Sequence, residues 1–117
     1  MMTYKMGFMS SGGAAARGGS TEFDPVVRLF SALAHPIRAA VVDRLTSGEA
    51  AVGELADLTG ASQPLVSHHL KVLREAHLVS MRRQGQRILY SLTDDHVASI
   101  FTDAHHHMKE HSHDCHH

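Results

Sequence analysis

SQPLVSHHLKVLREAHLV, residues 62–79, is the stretch on which the fold turns. Ser62 is an N-cap residue type, and Pro64 sits in what would be the first helical turn, where a missing N–H costs nothing. Val66, Leu70, Leu73 and His77 then recur at spacings of four, three and four, which places them on one helical face. The opposite face carries Ser67, His68, Lys71 and Arg74. Immediately upstream, Val52, Leu55 and Leu58 lay out a shorter helix that Gly60 closes. Two helices joined by a tight turn make a helix-turn-helix. Immediately downstream the period changes from helical to alternating. Val79 and Met81 precede Gln84-Gly85-Gln86, with Ile88, Tyr90 and Leu92 after it, so a glycine-tipped β-hairpin follows the longer helix.

Working outward from that centre, Asp24-Pro25 reads as an N-cap followed by a helix bearing Val26, Phe30 and Leu33. After the break at His35-Pro36, Ile37, Val41 and Leu45 repeat every fourth residue until Ser47-Gly48. A last helix begins near Asp94 or Asp95, carries Val97, Ile100, Phe101, Ala104 and Met108 along one stripe, and is expected to fray in the histidine-rich end. Residues 1–20, with Ser-Gly-Gly, three alanines and Gly-Gly-Ser, read as a flexible arm. The organisation expected is an arm over 1–20, one domain over 21–111 and a His-rich tail over 112–117. The fold class is mostly α with a small β-hairpin wing.

The chain has 117 residues and a net charge of −1, and the length leads us to expect one small core, with too little chain for a typical two-domain enzyme. It has no run near the roughly 20 apolar residues of a membrane helix and no secretory signal pattern, and the expectation is a soluble cytoplasmic protein with no membrane partner. The single cysteine, Cys115, cannot form an internal disulfide. The near-zero charge hides a segregation. Between Ser62 and Leu92, Lys71, Arg74, Arg82, Arg83 and Arg87 face only Glu75, a balance of +4 suited to phosphate. From Asp94 onward the balance is −4, and eight of the twelve histidines lie there, which suits a metal cation. Ser62, Gln63, Ser67, His68 and Lys71 are groove-reading residue types, and Arg82, Arg83 and Arg87 on a hairpin beside them suit a phosphate backbone. With 5% aromatic residues the chain lacks the stacking platforms of RNA-binding modules, so duplex DNA is the expected partner.

LFSALAHPIRAAVVDRL in the first two helices, SQPLVSHHLKVLREAHLV and RRQGQRILYSL, in this order and spacing, resemble the ArsR/SmtB winged-helix metal-responsive repressors. The resemblance runs from about Phe23 to Glu110. It implies a homodimeric winged helix-turn-helix whose metal-free dimer binds an imperfect inverted-repeat operator and leaves it when metal binds, so that efflux or resistance genes are expressed. It implies Ser62, Gln63, Ser67 and His68 as the readers and the wing arginines as backbone clamps.

Asp94, His96, His107 and Glu110 form D-x-H followed by H-x-x-E. Eleven residues turn a helix by three turns and about 20°, so His96 and His107 share a face but stand about 16 Å apart along the axis. One zinc ion, with ligands at about 2.0–2.2 Å, cannot touch both. A shared tetrahedron needs a second, antiparallel copy of the helix, pairing Asp94 and His96 of one chain with His107 and Glu110 of the other. The resemblance implies the same inter-subunit site on the last helix. It also implies that His107 couples to the backbone at the end of the recognition helix, where His77 stands at the matching position. Two nitrogens and two carboxylate oxygens suit Zn(II) and tolerate Co(II), whereas Ni(II) prefers more ligands. The cysteine site of related proteins is missing from GELADLTG. His111, His113 and His116 are candidate extra ligands that would shift the preference to nickel or cobalt. The competing classes are a His-tail metal-storage protein, a thiol sensor on Cys115, and a zinc hydrolase. The hydrolase is disfavoured because four ligands leave no open water position, H-E-x-x-H is missing, and no small organic substrate is implied.

Overall fold

The computed structural model describes residues 21–114, so the arm read over 1–20 and residues 115–117, with Cys115 and His116, lie outside the described residues. The element order is α1 (Asp24–Leu33), α2 (Pro36–Leu45), β1 (Ala50–Ala51), α3 (Val52–Thr59), α4 (Gln63–Glu75), β2 (Val79–Gln84), β3 (Arg87–Leu92) and α5 (Asp95–Asp114). The three strands form one antiparallel sheet in the order β1-β3-β2.

The core is built from the periodic positions. Val41, Val42 and Leu45 from α2, Leu55 and Ala56 from α3, and Val66, Leu70 and Leu73 from α4 meet Leu78, Val79, Tyr90 and Val97. Leu55, Leu70, Leu73, Leu78, Val41, Val42 and Val66 are almost completely excluded from solvent. Burying a side chain of this size is worth about 1.5–3 kcal/mol, so this apolar wedge holds α3, α4 and the base of the hairpin in one orientation.

Local chemistry sets the boundaries. The Ser62 side chain accepts a hydrogen bond from the Leu65 N–H at 3.3 Å, and Gly60 closes α3 at φ +75°. Asp94 is the N-cap of α5, its Oδ1 accepting from the N–H groups of His96 at 2.9 Å and Val97 at 3.2 Å. Glu54 supplies half of a capping box for α3 by accepting from the Ala51 N–H at 2.7 Å; the other half would need a side-chain acceptor that alanine lacks.

Four expectations are corrected. Asp24 lies inside α1, not at its cap: Phe23 takes that place, and the Asp24 carboxylate accepts from the Thr21 hydroxyl. The hairpin gains a third strand, β1, because two alanines pair with Leu89 and Tyr90 of β3. Where β1 pairs with β3, Leu89 and Tyr90 are buried together, while Met81, opposite Tyr90, and Ile88 are exposed, so strict alternation fails. The last helix, α5, runs on in its backbone through Asp114.

His77 is the fourth correction. It does not share the α4 face with Leu73, since α4 ends at Glu75 and His77 takes φ +62°. Leu78 N–H bonds to the Leu73 carbonyl at 2.9 Å and His77 N–H to that of Arg74 at 3.0 Å, the two bonds of a Schellman motif, with Leu78 and Leu73 packed in the core behind it. The left-handed position usually belongs to glycine, and a side chain there costs about 1–2 kcal/mol. Among the described residues His77 alone adopts it without being glycine.

Candidate DNA interface and metal-ligand helix

The inner face of α4 is consumed by Val66, His69, Leu70 and Leu73. That packing forces Ser67, His68 and Lys71 outward, where all three are exposed, along with Ser62 and Gln63 at the N-terminus of the helix. Gln63 lies across from α3, its Nε2 within van der Waals reach of Gly53. The helix thus presents a polar, solvent-facing edge fixed by the apolar one.

The hairpin carries Arg82, Arg83 and Arg87 outward, but two of the three are engaged within the chain. Arg82 donates from Nε to Glu49 Oε2 at 2.6 Å and from Nη2 to Glu49 Oε1 at 2.8 Å. This contact holds the Glu49 carboxyl below its usual range, with burial opposing, and raises Arg82. Arg87 lies 3.6 Å from Glu54. The local balance of +4 counted along residues 62–92 therefore overstates the free positive charge, because the fold brings in two carboxylates from outside that window. Arg83 makes no ion pair among the described residues.

Sequence reasoning also passed over His69. It is 5% exposed, its Nδ1 lies 3.0 Å from Arg38 Nη1, and its ring rests on that of His35 with centroids 4.3 Å apart. The signal available was its position one turn after Leu65-Val66, on the inner face of the helix.

Of the four ligand candidates on the last helix, Asp94 and His96 are brought together, with His96 Nδ1 3.6 Å from Asp94 Oδ1. His107 and Glu110 stand three turns further along α5 and exposed, as the helical arithmetic requires. Within one chain, no three potential ligands converge among the described residues. Asp94 and His96 fit half of a tetrahedral set, an oxygen and a nitrogen at the surface, with the second Asp94 carboxylate oxygen left over by the helix cap. They line a cavity of about 310 Å³ together with His77, Glu75 and Ile100. His111 is exposed one turn beyond His107, and their rings lie 4.3 Å apart. His113 is helical in its backbone.

Residues 35–81, spanning α2 through the start of β2, match the family described as "Bacterial regulatory protein, arsR family". The chain is 42% identical over 88 residues to the HTH-type transcriptional regulator NmtR of Mycobacterium tuberculosis, covering 75% of this chain and 72% of that protein. The chain belongs to the arsR family. This arsR-family chain is similar in structure to a Mycobacterium bovis protein, Mb0332, with a TM-score of 0.76 at 33% identity, covering 96% of this chain and 98% of that one. Mb0332 is described as a homodimeric winged helix-turn-helix DNA-binding domain and a possible ArsR-family transcriptional regulator. The HTH-type transcriptional repressor SmtB of M. tuberculosis is 44% identical over 81 residues, and the match spans 69% of this chain and 60% of SmtB. The winged helix-turn-helix is accordingly the architecture of this arsR-family chain, with α3 and α4 as the helix-turn-helix and β2–β3 as the wing.

Proposed function

We propose that the chain is a cytoplasmic, homodimeric transcriptional repressor whose metal-free form binds an inverted-repeat operator in duplex DNA and is released by Zn(II). The recognition helix is α4, read out through Ser62, Gln63, Ser67, His68 and Lys71, with Arg82, Arg83 and Arg87 clamping phosphates from the wing. The residues that hold zinc are Asp94 and His96 of one subunit with His107 and Glu110 of the other, two equivalent sites per dimer. When bound, zinc supplies a rigid four-ligand link between the two α5 helices.

The observation that carries the reading is the cavity shared by Asp94, His96 and His77. It sets the half-site on α5 beside the strained end of the recognition helix, so an imidazole entering from the partner to complete the tetrahedron comes within reach of the His77 backbone. A metal-ligating histidine commonly donates its second ring nitrogen to such a carbonyl. That bond would tie zinc occupancy to the angle of α4, and a coupling of about 1–3 kcal/mol suffices for regulation. The strain stored at His77 supports a functional demand at this position. The dimer is supported by the exposed apolar side chains at the start of α1, on α1 and on α5: Phe23, Val27, Phe30, Ile100 and Met108 are 36–62% exposed.

The His107–His111 ring contact favours a second reading, in which His111, with His113 and His116, enlarges the ligand set for Ni(II) or Co(II). A storage protein would instead bind several loose ions per chain through the tail and ignore DNA.

Complementation tests the site. A chain carrying Asp94→Ala and His96→Ala is mixed with one carrying His107→Ala and Glu110→Ala. Each homodimer is expected to bind no zinc tightly, whereas the mixed dimer regains one complete site. Failure of the mixture to regain a site overturns the inter-subunit ligand set.

A further inference from the structure

Among the described residues, His69 is the one polar side chain buried in the interior, and the reading above gives it no task. It lies on the recognition helix but faces inward, away from Ser67 and His68. Arg38 Nη1 is 3.0 Å from its Nδ1. A guanidinium only donates, so Nδ1 accepts and the ring proton sits on Nε2. The bond therefore exists only with a neutral imidazole, since an imidazolium would point a second N–H at the arginine. Arg38 is itself held, its Nε donating to the Ala32 carbonyl at the end of α1 at 2.6 Å. On its other side the His69 ring rests on His35, which caps α2 by accepting the Ile37 N–H at 3.1 Å. One neutral ring thus joins the end of α1, the start of α2 and the first half of α4.

The charged and titratable neighbours all oppose protonation or stand apart. His35 and Arg38 face the ring from α2, and His68 lies beside it on α4 with centroids 5.3 Å apart. Arg28 of α1 and Glu75 of α4 line the cavity next to Arg38, and Glu75 is the only acid there. Burial first, then the proximity of His35, Arg38 and His68, holds His69 below the usual imidazole value of 6.5. A group depressed in the folded state contributes stability above its unfolded value and loses it as pH falls through the folded one. Protonating Nδ1 would remove the acceptor that Arg38 needs and open the junction.

We propose that the Arg38–His69–His35 junction is a proton-sensitive latch on the recognition helix, holding α4 in its DNA-reading orientation only while His69 is neutral. The proposal rests on α4 being the DNA-reading helix. Its signature runs against the general trend, because acidification adds positive charge to exposed histidines and strengthens phosphate attraction.

The test is binding of metal-free protein, in chelator, to a fragment of its own promoter at about pH 7.5 and about pH 5.5. Wild type is expected to lose about tenfold in affinity at the lower pH. His69→Asn keeps an acceptor for Arg38 but has nothing to protonate, and is expected to lose no affinity at the lower pH. Affinity that holds or rises in the wild type, or an equal loss in His69→Asn, overturns the latch. Amide hydrogen exchange across Val66–Leu70 in the wild type supplies a readout independent of DNA and of any variant's folding. Protection relative to the intrinsic exchange rate that falls further there than in α3 on acidification supports the latch, and unchanged protection overturns it. If the protein binds no promoter DNA even at neutral pH, it is the DNA reading that fails, while the exchange result still decides the latch.

Discussion

Arg82 of the wing reaches across 33 residues of sequence to grip both carboxylate oxygens of Glu49, at 2.6 and 2.8 Å. The pair is half-exposed, and an exposed ion pair of this kind is worth little to stability. Its larger effect is to occupy an arginine that the proposed interface needs for phosphate. Glu49→Gln is expected to free that arginine, raising affinity for promoter DNA by about threefold at low salt and steepening the salt dependence by about one charge. A binding isotherm series at several salt concentrations checks this, and weaker binding would mean that the pair props the wing in place. Because Arg82 holds the Glu49 carboxyl below its ordinary value of 4.5, the pair is present above that value and is lost only as pH falls through the lowered one.

Two residues three apart on α4 are expected to fail in opposite ways. Leu70 is fully buried, so Leu70→Ala removes core volume and is expected to cost about 2–5 kcal/mol in urea unfolding. Ser67 is exposed, and Ser67→Ala is expected to change stability by less than about 0.5 kcal/mol while weakening operator binding. A stability loss for Ser67→Ala comparable to that of Leu70→Ala would contradict the assignment of the two faces.

The contrast between these faces was legible in the sequence. The spacing of Val66, Leu70 and Leu73, the cap at Ser62 and the glycines at 60 and 85 each act within a few residues, and each appears where the local chemistry places it. What escaped depends on contacts between distant segments. The two-residue strand β1 exists only because β3 offers it partners, and the neutralisation of Arg82 and Arg87 needs Glu49 and Glu54 delivered from before the recognition helix. His69 reads as polar in a one-dimensional pattern, and only the convergence of Arg38 and His35 on it allows its burial. His77 fitted the helical spacing by number, but the chain turns left-handed one residue past the α4 cap. The candidate ligands were legible as a pattern on one helix, whereas the proposed site would be a relation between two chains.

Glycine suits the backbone of His77 better than histidine does. His77→Gly is expected to raise the unfolding free energy by about 1 kcal/mol, measured by chemical denaturation, because it relieves the left-handed strain. If zinc couples through the backbone carbonyl, this variant also keeps its zinc response. Loss of the response with stability increased would transfer the coupling role to the imidazole itself.

The central claim is that metal on α5 controls α4. Fluorescence anisotropy of a labelled fragment of the protein's own promoter, titrated with metal-free protein and then with buffered Zn(II), Co(II) and Ni(II) in turn, tests it most directly. The account predicts tight binding that zinc reverses best, and a His107→Asn variant that binds the same DNA but no longer responds. DNA binding that none of the three ions alters would contradict it, leaving Asp94, His96, His107 and Glu110 as a structural site or a solvated helix face.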